Sequence, residues 1–152
     1  MAQWALAIQG GMTVEDTVNA DLPYAPPFTL AIDHFITTAH LMQNKLKGRL
    51  KGITVAEVKR KVDAGEKPFI IDARGPDEFE AMRLGIGEHL IPLGAVRKRL
   101  GELPPDKNAE IICYCKISLR GYEAALAIEA NGWKNVKVME GGIMAWPYPR
   151  EK

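Results

Sequence analysis

The 152 residues include only two cysteines, one residue apart in Cys113-Tyr114-Cys115. That excludes a disulfide framework and suits an intracellular thiol site. No run approaches the roughly 18 apolar residues that a membrane-spanning helix needs. Neither sign of charge dominates, because 20 Lys+Arg against 19 Asp+Glu leaves +1. Bulk charge therefore recruits neither nucleic acid nor an anionic membrane. Histidine is scarce, and His34, His40 and His89 stand at no metal-ligand spacing with the cysteines, so no metal is expected. The first 14 residues carry no charge and lack the basic start of a signal peptide; a cytoplasmic location is the expectation. What remains is a 47% hydrophobic, 26% charged chain, long enough to bury a core without staples.

Composition changes near residue 50. Residues 1–50 hold three basic residues, Lys45, Lys47 and Arg49, whereas the rest of the chain holds 17. Three prolines in Leu22-Pro23-Tyr24-Ala25-Pro26-Pro27-Phe28 exclude helix interior there. Asp33 can then cap a helix running to about Lys47, with Gly48 as its stop and Phe35, Ile36, Ala39, Leu41, Met42 and Leu46 as an apolar face. Residues 1–32 form no domain of their own in this reading. The division expected is an N-terminal extension, 1–50, and a main domain, 51–152.

From Gly52 onward helices and strands alternate. Thr54 can cap a helix over Val55–Asp63, with Glu57 as capping-box partner. Strands are expected at Phe69–Asp72, Glu88–Ile91, Ile111–Tyr114 and Val136–Met139. Helices are expected at Asp77–Arg83, Ala95–Leu100 and Gly121–Ala130, with Gly141-Gly142 opening a last turn. This spacing implies an α/β fold, a central parallel sheet flanked by helices on both faces.

The chemistry concentrates in Cys113-Tyr114-Cys115-Lys116-Ile117-Ser118-Leu119-Arg120-Gly121-Tyr122. A strand runs into a loop and straight on into a helix. Ligands of open parallel sheets bind beyond the carboxyl ends of strands, where Cys115 falls. A loop curling into a helix N-terminus turns successive N–H groups toward one point, which favours a thiolate. Arg120 closes the loop with a permanent charge that can hold an oxyanion. The bland alternative is a strand-end cysteine beside an unrelated surface arginine.

At these residues the chain resembles the rhodanese (sulfurtransferase) domains, whose loop is a Cys, four residues and an Arg. The resemblance spans roughly 53–148. It includes Ile70-Ile71-Asp72-Ala73-Arg74 with Asp77-Glu78-Phe79, then Leu90-Ile91-Pro92-Leu93, Glu140-Gly141-Gly142 and Trp146. It implies a rhodanese-like fold and Cys115 as the catalytic nucleophile. Lys116, Ile117, Ser118, Leu119 and Arg120 would form the substrate-binding loop. Sulfur would pass from thiosulfate or a persulfide to a thiol or cyanide through a Cys115 persulfide. Phosphatases sharing the fold carry a loop one residue longer. The chain departs from the pattern twice. Ser118 stands where the family often has Gly, at a cost of about a kilocalorie if the position needs φ > 0. The frequent His-x-Pro-Gly-Ala segment is absent near Arg83–His89.

The first 50 residues have a resemblance of their own. Gly11–Asp16, Asp21–Phe28 and Asp33 look like the end of the dimerisation domain of FAD-dependent CoA-disulfide or persulfide reductases fused to rhodanese. Yet no Gly-x-Gly-x-x-Gly fingerprint occurs, so no flavin and no other cofactor is expected. The resemblance implies a weak homodimer through the extension; Tyr24 resembles a tyrosine that reaches a partner subunit's active site in the reductases, but without that active site it is expected as a packed aromatic. Cys113 is expected in the core, and Asp72 with Arg74 as a helix cap and buried ion pair. A non-catalytic interaction module and a persulfide relay for a separate flavin reductase are the alternatives to a sulfurtransferase.

Overall fold

The structure, a computed structural model, describes residues 2–23 and 32–152. The Tyr-Ala-Pro-Pro-Phe motif at 24–28 lies outside the described residues. The chain divides into two compact units, 1–50 and 51–152.

The first unit is helical: α1 (Ala2–Gln9), α2 (Val14–Val18) and α3 (His34–Leu46). Thr13 caps α2 in a reciprocal box with Asp16, a stop-and-start that the weak apolar pattern of residues 1–32 does not announce. Asp33 caps α3 as its residue type demands, accepting from the Phe35 N–H at 2.8 Å. Phe35 and Ala39 are buried, and the Phe35 ring meets Trp4 at 4.6 Å. The expected apolar face of α3 is only partly used: Leu41, Met42 and Leu46 are exposed.

The second unit alternates as β1 (Gly52–Ile53), α4 (Val55–Asp63), β2 (Phe69–Asp72), α5 (Pro76–Ala81), β3 (His89–Leu90), two short 3₁₀ turns, β4 (Ile111–Tyr114), α6 (Leu119–Glu129), β5 (Val136–Met139) and a last 3₁₀ turn, Gly142–Ala145. The five strands form one sheet in the order β1-β5-β4-β2-β3, and every pairing is parallel. Successive strand residues point to opposite faces. Ile70, Ile112, Tyr114 and Met139 join Val58 of α4, Ile143 and Trp146 in one core cluster. α6 packs against β4 and β5 and sends Ala124, Ala125, Ala127 and Ile128 into burial without joining that cluster. The sheet is thus covered by helices on both faces, as its apolar strands require.

Several bounds differ from the sequence reading, each for a local reason. Of the capping box on α4 the Thr54 half is made, accepting from the Glu57 N–H at 3.2 Å. β1 has no pattern of its own; it exists because Gly52 and Ile53 pair with Val138 and Met139. The strand at 88–91 shrinks to two residues, because the Glu88 carboxylate turns back to accept the N–H groups of Leu84, Gly85 and Ile86. Residues 93–98 and 100–102 are 3₁₀ turns rather than one helix.

Candidate active site

β4 lies between β5 and β2, and Cys115 is the first residue beyond its carboxyl end. The thiol-bearing residue is buried, with 1% of its surface exposed. The chain turns at once into α6, which starts at Leu119, two residues earlier than its composition indicates. That tight entry needs Gly121: a Cβ there would stand 3.0 Å from the Tyr114 Cα.

The four loop carbonyls are all engaged. Cys115 O accepts from Ile143 N–H at 2.9 Å and Lys116 O from Met144 N–H at 3.1 Å. Ile117 O accepts from the Ser118 hydroxyl, and Ser118 O from Tyr122 N–H at 2.9 Å. Among the described residues, no protein acceptor meets the N–H groups of 116–120. With every carbonyl occupied elsewhere, the loop and the first turn of α6 offer only donors, an anion-receptive arrangement.

The 3₁₀ turn that receives the first two carbonyls depends on Gly142. Its φ is +57°, and a Cβ would lie 2.3 Å from Cys115 O and 2.7 Å from Lys116 O. No side chain fits between the turn and the loop.

Each expected site residue has a definite place. Lys116 is exposed on the loop. Ile117 and Leu119 are 63% and 65% exposed, so their contribution to the loop is their backbone. Ser118 has φ 173°, outside the left-handed region that favours glycine, so the strain considered for serine does not arise. Arg120 does not project freely: its two terminal nitrogens donate to Glu78 Oε2 at 2.6 Å and Oε1 at 2.9 Å. Those bonds are the main reason its guanidinium is held above its ordinary range; the charges of Glu78 and the Cys115 sulfur act in the same direction, against burial. Arg120 is therefore anchored by Glu78.

Glu78 is the residue to which the sequence reading gives no role. It is the third residue of α5 and also accepts the Gly75 N–H at 3.2 Å. The hydrogen bonds from Arg120, helped by Gly75, hold its carboxyl at about 2 despite burial. α5 is fixed in turn by Arg74, whose guanidinium donates to Glu78 O and Met82 O and pairs with Asp72 at 2.6 Å, almost fully buried. The expected ion pair is present; the expected cap is not, since Gly75 is the N-cap of α5. An acidic residue three places after a Gly-Pro helix start signals a backbone cap, but not a partner 42 residues away.

Cys113 sits one strand residue back from Tyr114, fully buried, and burial pushes its thiol up. It is a core residue, as expected. Among the described residues no group of His, Cys, Asp or Glu could hold a metal, and no helix is long and apolar enough to cross a membrane.

Residues 54–147 match the family model of the rhodanese-like domain. A putative sulfurtransferase, YtwF, of Bacillus subtilis is 33% identical over 102 residues, 64% of this chain and 90% of that one. Two solved structures are similar over both units. The reduced Bacillus anthracis CoADR-RHD is 32% identical with a TM-score of 0.86, covering 96% of this chain and 25% of that one. A NAD-dependent persulfide reductase from A. fulgidus is 36% identical with a TM-score of 0.79, covering 95% and 25%. The chain thus spans about a quarter of the length of these reductases, and 24% of further curated relatives that it matches.

Proposed function

The chain belongs to the rhodanese-like domain family, and from that premise we propose that it is a sulfurtransferase working through a persulfide on Cys115. The observation that carries this is the loop in which every carbonyl from 115 to 118 is bonded away and the N–H groups of 116–120 are left for an anion.

The thiolate of Cys115 attacks the outer sulfur of thiosulfate. A bond forms from Sγ to that sulfur while its bond to the sulfonate sulfur breaks, and the electron pair leaves with sulfite. The loop N–H groups and Arg120 hold the anionic donor and the terminal sulfur of the persulfide. A thiolate or cyanide then attacks that terminal sulfur and carries it off, and the pair of the broken S–S bond returns to Sγ. The transfer is split into two displacements, as covalent catalysis requires. A persulfide donor enters by the same first step, leaving as its thiolate. No cofactor is needed by either step, and a reducing compartment such as the cytoplasm keeps the thiol available.

Likeness to two reductase chains across both units supports a second reading, in which the donor is a persulfide or the acceptor a thiol handled by a flavin-dependent reductase, and this chain is its relay. Mass spectrometry of the intact protein after incubation with thiosulfate tests the shared step. One added sulfur, located on Cys115 and discharged by cyanide, is expected. A protein that gains no sulfur, or gains it equally without Cys115, would falsify the assignment.

A further inference from the structure

We infer that the Ser118 side chain is a positioning residue that locks the reactive loop in its donor-only form. The Ser118 hydroxyl makes two bonds at once. It donates to Ile117 O, the carbonyl of the preceding residue, and its oxygen accepts the Gly141 N–H at 3.0 Å. It is the single side-chain link from loop residues 116–119 to the segment at 141–144 among the described residues; the other links are backbone bonds to Cys115 O and Lys116 O.

Ile117 O differs from its neighbours in how it is held. The Cys115 and Lys116 carbonyls are secured by N–H groups of a turn that has no room for adjustment, because Gly142 packs directly on them. Ile117 O has only the serine hydroxyl. Without it, the 117–118 peptide loses the bond that holds its orientation. A rotation of that peptide would bring a carbonyl oxygen toward the anion site and take an N–H away. Both changes oppose an anionic ligand. Ser118 thus couples the sign of the loop's polarity to the Gly141 amide.

The inference rests on Cys115 as the nucleophile, but it is testable on the thiol itself. The probes are iodoacetate and iodoacetamide, which alkylate the same sulfur and differ in charge. The ratio of their rates at Cys115 reports the anion site and cancels general changes in accessibility. In S118A and S118G the ratio of iodoacetate to iodoacetamide is expected to fall on the order of fivefold, the size of one hydrogen bond. S118T, which keeps the hydroxyl, is expected to restore it. Amide exchange at Gly141 supplies a second measurement needing no altered fold: slow in the wild-type protein and in S118T, fast in S118A. Rapid exchange at Gly141 in the wild-type protein would overturn the inference. So would a ratio in S118A that stays within about twofold of wild type. A protein that labels as expected yet transfers no sulfur upholds this role and removes the sulfurtransferase reading.

Discussion

Cys113 and Cys115 have the same side chain in two environments. Cys113 stands inside β4, and burial keeps its thiol protonated; Cys115 stands where the strand opens into a ring of N–H donors. Cys115→Ser is expected to abolish thiosulfate:cyanide transfer, and Cys113→Ala to retain most of it. The assay is thiocyanate formation by folded variants, and equal loss in both would identify a dithiol site instead. Glu78 offers a second test. Glu78→Gln weakens the grip on Arg120 and should lower kcat/KM for thiosulfate about tenfold. Its effect on stability is smaller, under about 1 kcal/mol, since the pair is a third exposed and screened. The Glu78 carboxyl is depressed from 4.5 to about 2. Its contribution is therefore full above the unfolded value and is lost as pH falls toward 2. The difference in Tm between wild type and E78Q should be level above about pH 5 and close as acid is added.

The elements around the loop differ in how plainly the sequence announces them. α4 was legible to the residue, because Thr54 marks its start and the bonds that define a helix are local. Thr54→Ala should cost about 1 kcal/mol, read from denaturant unfolding. β2, β4 and β5 were legible as short apolar runs bounded by polar residues. The Cys115–Arg120 loop was legible as a spacing. Its wiring was not. The bonds from Ile143 and Met144, the serine bond to Gly141 and the Glu78 pair each join residues more than 20 positions apart, and no local pattern encodes such a partner. β1 was invisible for the same reason, being a strand only by virtue of β5. Gly142 shows what that wiring demands. Gly142→Ala forces a Cβ onto two backbone oxygens from a left-handed conformation, and should destabilise the unit by on the order of 2 kcal/mol while abolishing sulfur transfer. Thermal unfolding together with the thiocyanate assay checks both effects.

On the scale of the whole molecule, the unit at 1–50 leaves Leu6, Ile8, Leu41 and Leu46 exposed, in a segment that resembles the end of a dimerisation domain. We propose that a second copy of the chain covers it, in a weak homodimer. Sedimentation should show a dimer that is lost when residues 1–50 are removed, with sulfur transfer retained. That cut spares Lys51, whose carbonyl accepts the Val138 N–H; a full-length chain that stays monomeric at high concentration would refute the pairing. The order of the parts along the chain has a consequence for how the protein is made. Cys115 leaves the ribosome before the residues at 141–144 that shape its loop. At about 5–20 residues per second, the nascent thiol waits a few seconds as an ordinary cysteine. The carbonyls of Cys115 and Lys116 are drawn back only when the turn at 141–144 arrives, so a growing chain carries the cysteine without the anion-receptive loop around it.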